Sequence, residues 1–130
     1  MSSKRVLVVD DDPEILEAIR EVVALGGYRV HVCTSGEDCL AKATSEPPDV
    51  IVLDLVLDTT DGWQVLRVLK QQPSTRDVPV IVISHQVEHR DMFRGLQEGA
   101  VDYLEKPLER ESLLASIQAA VSHRAAGGES

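Results

Sequence analysis

The sequence predicts a doubly wound α/β domain, in which helices cover both sides of a five-stranded parallel sheet. Short apolar runs alternate with stretches whose apolar residues recur every three to four positions. Three of the runs, at 6–9, 50–53 and 80–83, are continuously apolar, as expected of strands that are buried on both faces. Strict alternation of strands and helices indicates parallel strands joined by helical crossovers.

The first helix is bounded by clear signals. Asp12 is a suitable N-cap residue, and Pro13 suits the first helical position, where its missing N–H is not needed. Gly26 and Gly27 end the helix. The apolar spacing predicts an inward face made of Ile15, Ile19, Val22, Val23 and Gly26.

The other elements follow the same alternation. We predict further strands at 29–33 and 101–104, and helices that begin near residues 35, 61, 88 and 109. The predicted inward residues of the last three helices are Val65, Leu66, Val68 and Leu69, then Met92, Phe93 and Leu96, and finally Leu113, Ile117, Ala120 and Val121.

The length and composition fit one domain. A chain of 130 residues with 43% hydrophobic and 27% charged residues is typical of a globular domain with a single core. We predict that this domain spans 1–124 and that the small and polar residues 125–130 form a flexible tail.

The charge and the cysteines restrict the possible partners and location. A net charge of −9 repels nucleic-acid phosphates and anionic membranes, so we expect no direct binding to either. The apolar run before Asp10 has only four residues, 6–9, too few for a signal peptide or a spanning helix. Cys33 and Cys39 match no common zinc or redox motif, and we expect reduced thiols in a cytoplasmic protein.

Five polar residues stand where predicted strands end. Asp10 and Asp11 follow the first strand, Asp54 the third, Ser84 the fourth and Lys106 the fifth. Each of them alone has an ordinary explanation as a cap, a turn or a solvated charge. Because the carboxyl ends of parallel strands meet at one edge of the sheet, we expect all five to lie close together.

This set of residues suits phosphoryl transfer. Three converging carboxylates repel one another unless a cation offsets their charge, and oxygen ligands favour a hard ion such as Mg²⁺. Lys106 adds a positive charge, Ser84 adds a hydroxyl donor, and Asp54 is an acceptor carboxylate.

Over about residues 6–121 the chain resembles the receiver domains of two-component response regulators, the CheY-like family. The matching segments are Val-Leu-Val-Val-Asp10-Asp11, Val-Ile-Val-Leu-Asp54, Asp61-Gly62, Val-Ile-Val-Ile-Ser84, Gly99-Ala100 and Tyr103-Leu-Glu-Lys106-Pro107. The resemblance implies a flavodoxin-like fold with strand order 2-1-3-4-5.

The resemblance also implies a role for each residue of the metal site. Asp54 corresponds to the phosphoacceptor and to a ligand of Mg²⁺ or Mn²⁺. Asp11 corresponds to a direct metal ligand, and Asp10 to a ligand that acts mainly through water. Val56 holds the position that offers a backbone carbonyl to the metal.

Further implied roles concern the switch. Lys106 pairs with Asp54 at rest and with the phosphoryl group afterwards. Ser84 moves to bind that group, and Tyr103 turns inward as Ser84 moves. The peptide bond before Pro107 is cis in this family. The chain is expected to catalyse only its own phosphorylation and slow self-dephosphorylation, and not to be an enzyme in the metabolic sense.

The implied partners are a histidine kinase or phosphotransfer protein as phosphodonor, and an effector or a second copy as reader. The reader would bind the surface formed by the fourth helix, the fifth strand and the fifth helix. Phosphorylation changes this surface by shifting a two-state equilibrium.

Three residues depart from the family pattern. His85 follows Ser84 where a small residue is usual, and it either screens the phosphoryl site or points to solvent. Asp58 stands where Pro is common and adds acid near the metal. Leu108 replaces a frequent Phe.

Two alternative functions come from other classes. A pseudo-receiver would bind partners without phosphorylation, a reading that the intact polar set opposes and His85 leaves open. An aspartate-based phosphohydrolase usually carries a second catalytic Asp two residues after its nucleophile, and that position here is Val56.

Overall fold

The computed structural model describes residues 4–57, 61–85 and 89–128. Strands and helices alternate along the chain, as predicted. They are β1 Arg5–Val9, α1 Pro13–Leu25, β2 Arg29–Cys33, α2 Gly36–Ser45, β3 Val50–Asp54, α3 Gly62–Gln71, β4 Val80–Ser84, α4 His89–Gln97, β5 Asp102–Glu105 and α5 Arg110–Gly128.

The five strands form one parallel sheet in the order β2-β1-β3-β4-β5, which confirms the predicted fold class. The chain leaves β1 toward β2 on one side and later returns to pair β3 on the other. This reversal places a crevice at the carboxyl ends of β1 and β3, where ligands bind in folds of this kind. In register, Val9 pairs with Leu53, and Asp54 pairs with Ile83.

The sheet separates two apolar clusters. Along β1, Leu7 and Val9 face the cluster beneath α2 and α3, whereas Val6 and Val8 face the cluster beneath α1 and α5. Continuous apolar strands are required because both faces of the sheet are buried. Cys33 and Cys39 lie in the first cluster as buried free thiols.

Capping residues fix the starts of three helices. Asp12 accepts a hydrogen bond from the Glu14 N–H and Asp61 accepts one from the Trp63 N–H, each at 3.0 Å. Ser35 caps α2 in the same way. These contacts satisfy backbone donors that the helix cannot pair itself, and they confirm the starts predicted for α1 and α3.

The prediction that Phe93 and Leu96 face inward in α4 is wrong. Their side chains are 64% and 54% exposed, and the buried residue of this turn is Gly95. An ideal Cβ at Gly95 would lie 3.5 Å from the Tyr103 ring and 3.6 Å from the Trp63 ring. Rings from neighbouring elements therefore occupy the space that a large inward side chain of α4 would need. The side chain of Met92 lies outside the described residues.

Helices α1 and α5 pack on the opposite face much as predicted. Ile19 and Val23 of α1 are buried, and so are Leu113, Ile117 and Ala120 of α5. The buried Leu16 was not predicted, and Gly26, which was predicted to face inward, is exposed. The backbone of α5 continues to Gly128, further than the sequence indicated, and the division into a domain at 1–124 and a tail at 125–130 stays a prediction. In the described part of the chain, no helix combines the length and apolarity needed to cross a bilayer.

Candidate functional site

The predicted polar residues gather at one edge of the sheet. Asp10 follows β1, Asp54 ends β3 and Ser84 ends β4. Lys106 follows β5, and its backbone N–H donates to the Ser84 carbonyl at 2.8 Å, which fixes its place beside β4. The structure buries all four of these residues.

One ammonium group joins two carboxylates at this edge. Lys106 Nζ lies 2.9 Å from Asp54 Oδ2 and 2.7 Å from Asp10 Oδ2. The pairing with Asp54 was expected from the resemblance, whereas the contact with Asp10 was not. No sequence signal could have shown it, because it depends on which way two side chains turn in a buried space.

Backbone donors orient the remaining carboxylate oxygens. The Val56 N–H donates to Asp54 Oδ1, and the Asp12 N–H donates to Asp10 Oδ1, each at 3.0 Å. Charge-assisted hydrogen bonds of this kind hold a carboxylate in one orientation. Asp10 and Asp54 are therefore positioned before any ligand arrives.

The electrostatics of the site are those of a crowded acidic pocket. Burial raises the pKa of Asp10, and repulsion from Asp54 adds to this, while hydrogen bonds from Lys106 and the Asp12 N–H only partly offset it. Burial lowers the pKa of Lys106, but its hydrogen bonds to both carboxylates outweigh burial and leave that pKa raised. Lys106 is thus held in its charged form by the two acids.

Three carboxylates can converge on one ion. Oxygens of Asp10, Asp11 and Asp54 lie within 4.8 Å of one another, and Asp11 is partly exposed, so the group opens toward solvent. An all-oxygen donor set with an open side fits a hard divalent ion that keeps several waters. Val56 lies two residues after Asp54 and its side chain is exposed. Because this side chain is apolar, only the backbone carbonyl of Val56 could bind a metal ion.

The loop after Asp54 depends on Gly62, a residue whose importance the sequence analysis missed. Its N–H donates to the Leu55 carbonyl at 3.0 Å. An ideal Cβ at Gly62 would lie 2.4 Å from Leu55 Cα and 2.7 Å from the Asp54 carbonyl oxygen. The only sequence signal was the Asp61-Gly62 pair, which gives no hint of this contact. Gly62 is needed so that helix α3 can start against the acceptor strand.

The two predicted switch residues lie on neighbouring strands. Ser84 ends β4 opposite Glu105, and Tyr103 pairs with Val82, two residues earlier on each strand. The side chain of Tyr103 is 8% exposed, so its ring already lies inward in this structure. The movement predicted for Ser84 and Tyr103 stays a prediction.

His85 lies at the rim of the site. It is exposed and, with Lys106 and Pro107, lines a largely apolar cleft of about 310 Å³ between α1 and the start of α5. The Lys106–Pro107 bond is cis, as the resemblance implied. Asp58, the other predicted modulator, lies outside the described residues.

A comparison with protein families decides the classification. The family model of the response regulator receiver domain matches residues 6–118. The chain belongs to this family. It is thus a receiver domain of the kind found in the response regulators of two-component systems.

Individual relatives agree with this assignment. The chain is 39% identical to the transcriptional regulatory protein PrrA of Mycobacterium leprae, over 97% of this chain and 53% of that protein. It is 34% identical to the protein PilH of Pseudomonas aeruginosa, over 91% of this chain and 98% of that protein. The chain thus spans about half the length of relatives such as PrrA.

A solved structure extends the likeness to the fold. The CheY-like receiver domain protein of Methanospirillum hungatei superposes with a TM-score of 0.89 at 25% identity, and the match covers 97% of this chain and 99% of that one. Sequence and fold therefore lead to the same family.

Proposed function

We propose that this receiver domain is a phosphoaccepting switch, which takes a phosphoryl group from a phosphohistidine donor onto Asp54 with the help of Mg²⁺. The observation that carries the proposal is the buried ammonium of Lys106, shared between Asp54 and Asp10 beside the open carboxylate of Asp11. An acceptor, a fixed cation and a metal-binding group are the parts that phosphoryl transfer requires.

Different residues of the chain position the acceptor and bind the transferred phosphoryl group. The Val56 N–H and Lys106 hold the Asp54 carboxylate in place, so that an oxygen can attack the phosphorus of the donor. The O–P bond to Asp54 forms as the N–P bond breaks, and the donor imidazole leaves with the electron pair. Lys106 and Ser84 then donate hydrogen bonds to the phosphoryl oxygens.

The metal belongs to the acidic side of the same site. Asp11 and Asp54 would hold Mg²⁺ or Mn²⁺ directly, the Val56 carbonyl would add a ligand, and Asp10 would act through water. When bound, such an ion neutralises the charge that develops on the transferring phosphoryl group. Lys106 alone offsets only one of the three carboxylate charges.

The proposed partners follow from the receiver fold. A histidine kinase or phosphotransfer protein supplies the phosphoryl group, and an effector or a second copy of the chain reads the surface of α4, β5 and α5. The net charge of −9 disfavours direct binding to nucleic acid or to an anionic membrane, and we place the protein in the cytoplasm. Its chemistry is limited to its own phosphorylation and slow self-dephosphorylation.

Beryllofluoride binding tests this function, because the anion mimics a phosphoryl group on a carboxylate. In the presence of Mg²⁺, fluorine NMR should show one bound species for the wild-type protein and none for Asp54→Asn. Asp77→Asn, a change at an exposed acid before β4, is the matched control and should bind as the wild type does.

Absence of binding in the wild type would contradict the proposal and favour a pseudo-receiver. Binding that persists in Asp54→Asn would show that the acceptor is a residue other than Asp54.

A further inference from the structure

The start of helix α3 is fastened to the backbone that carries Asp54. Gly62 packs directly on Leu55, where an added Cβ would fall 2.4 Å from Leu55 Cα. Asp61 in turn accepts a hydrogen bond from the Trp63 N–H at 3.0 Å. The Gly62–Leu55 contact and the Asp61 cap therefore join the backbone that carries Trp63 to the end of the acceptor strand.

From this position the indole of Trp63 reaches helix α4. The guanidinium of Arg94 lies 4.4 Å from the centroid of the Trp63 ring, a distance typical of cation–π stacking. The next residue, Gly95, faces both the Trp63 ring and the Tyr103 ring. A single turn of α4 therefore meets one ring from α3 and one from β5.

Helices α3 and α4 are attached to different parts of the site. Helix α4 follows β4, which ends at Ser84, and precedes β5, which leads to Lys106. New hydrogen bonds from Ser84 and Lys106 to a phosphoryl group would move the connections at both ends of α4. Helix α3 is joined to the acceptor strand by the contact of Gly62 with Leu55, so a movement of α4 would fall on the boundary that the Trp63–Arg94 contact spans.

We propose that the stacking of Arg94 on Trp63 is a latch, which holds α4 against α3 in the unphosphorylated state and loosens when Asp54 is phosphorylated. This inference rests on the function proposed above. The contact is present in the form in which Lys106 pairs with Asp10 and Asp54, and under this proposal it stabilises that form. A contact that is made in only one state weakens the binding of any ligand that selects the other state.

A second contact across the same boundary provides the control. Arg67 Nε of α3 lies 3.4 Å from Oε2 of Glu98, the residue that follows α4, in a partly exposed ion pair. Exposed ion pairs contribute little to stability. Arg67→Gln removes a positive charge from this boundary and leaves the ring–guanidinium contact in place.

The test is a titration of the full chain with beryllofluoride in excess Mg²⁺, followed by fluorine NMR. Arg94→Gln should lower the half-saturating concentration about two- to fivefold, the range that an exposed cation–π contact supports. Arg94→Lys, which keeps the charge but not the planar stacking, should fall between Arg94→Gln and the wild type. Arg67→Gln should match the wild type.

Fluorescence gives an independent readout, because Trp63 is the single tryptophan of the chain. Its emission should change when the wild-type protein binds beryllofluoride, and should change less in Arg94→Gln. Equal half-saturation and equal emission changes in Arg94→Gln and Arg67→Gln would overturn the latch alone. A wild-type protein that does not bind beryllofluoride would overturn the proposed function and the latch together.

Discussion

Lys106 and Asp54 lie 52 positions apart in the chain and meet as a buried ion pair, with 2.9 Å between Nζ and Oδ2. The same ammonium also pairs with Asp10, so two buried carboxylates depend on one cation. A buried ion pair of this kind adds little net stability to the fold. The fold nevertheless needs both partners, because removing one of them leaves buried charge without compensation.

The first prediction concerns that cation. Lys106→Met should lower the free energy of unfolding by about 3 kcal/mol in the absence of Mg²⁺, because Asp10 and Asp54 lose their counter-ion. Asp54→Asn should be neutral or stabilising, since it relieves repulsion and leaves the pair of Lys106 with Asp10. Urea unfolding in EDTA measures both changes.

The control for this prediction is Lys42→Met, which removes an exposed pair with Asp38 at 3.3 Å and an exposed hydrogen bond to the Val32 carbonyl at 2.9 Å. Such pairs are worth at most about 1 kcal/mol. A Lys106→Met protein as stable as Lys42→Met would show that the acidic pocket needs no internal cation.

The second prediction concerns divalent metal. At a free Mg²⁺ concentration ten times the dissociation constant, the wild-type protein should gain about 1.4 kcal/mol, because the ion binds only the folded site. Asp11→Asn should lose most of this gain, whereas Asp77→Asn at the other end of the sheet should keep it. Thermal unfolding with and without EDTA checks this, and an equal gain in Asp11→Asn would remove Asp11 from the ligand set.

The third prediction concerns Gly62. Gly62→Ala should destabilise the fold by about 2–3 kcal/mol and weaken beryllofluoride binding, because a Cβ 2.4 Å from Leu55 Cα must push the acceptor loop away from α3. Gly95→Ala is the matched control within a helix. Its Cβ meets only ordinary contacts at 3.5 Å or more, and it should be neutral or stabilise by up to about 1 kcal/mol.

These two glycine variants separate close packing from helix propensity. If Gly62→Ala unfolds at the same urea concentration as Gly95→Ala and binds beryllofluoride normally, then the contact with Leu55 does not position the acceptor loop.

The fourth prediction concerns His85 at the rim of the cleft. If its ring screens the phosphoryl site, His85→Ala should speed phosphorylation by acetyl phosphate or the later loss of the phosphoryl group about threefold, ~0.7 kcal/mol in the barrier. His31→Ala, a change on the distant edge strand β2, should leave both rates unaltered. Phosphoprotein levels followed over time measure both steps, and unchanged rates in His85→Ala would reject the screening role.

The sequence predicted the sheet and the edge of the site well because both depend on local patterns. Apolar runs that end in an acid or a hydroxyl locate β1, β3 and β4 together with Asp10, Asp54 and Ser84. Strand–helix alternation then brings these residues to one edge, and the structure places them there.

What the sequence could not predict depends on contacts between distant elements. Helical periodicity indicated an inward Phe93 and Leu96, but the rings of Trp63 and Tyr103 line that space, and a small residue, Gly95, faces them instead. The ion pair of Lys106 with Asp10 likewise depends on the orientation of buried side chains, which residue spacing cannot predict.

The most direct test of the account is to locate the phosphoryl group itself. The protein is incubated with acetyl phosphate and Mg²⁺, and intact and tandem mass spectrometry then determine how many phosphoryl groups are attached and where. We predict one group, on Asp54, which is absent in EDTA and absent from Asp54→Asn. A wild-type protein that stays unmodified, or one that carries the group on Asp10 or Asp11, would contradict the central claim.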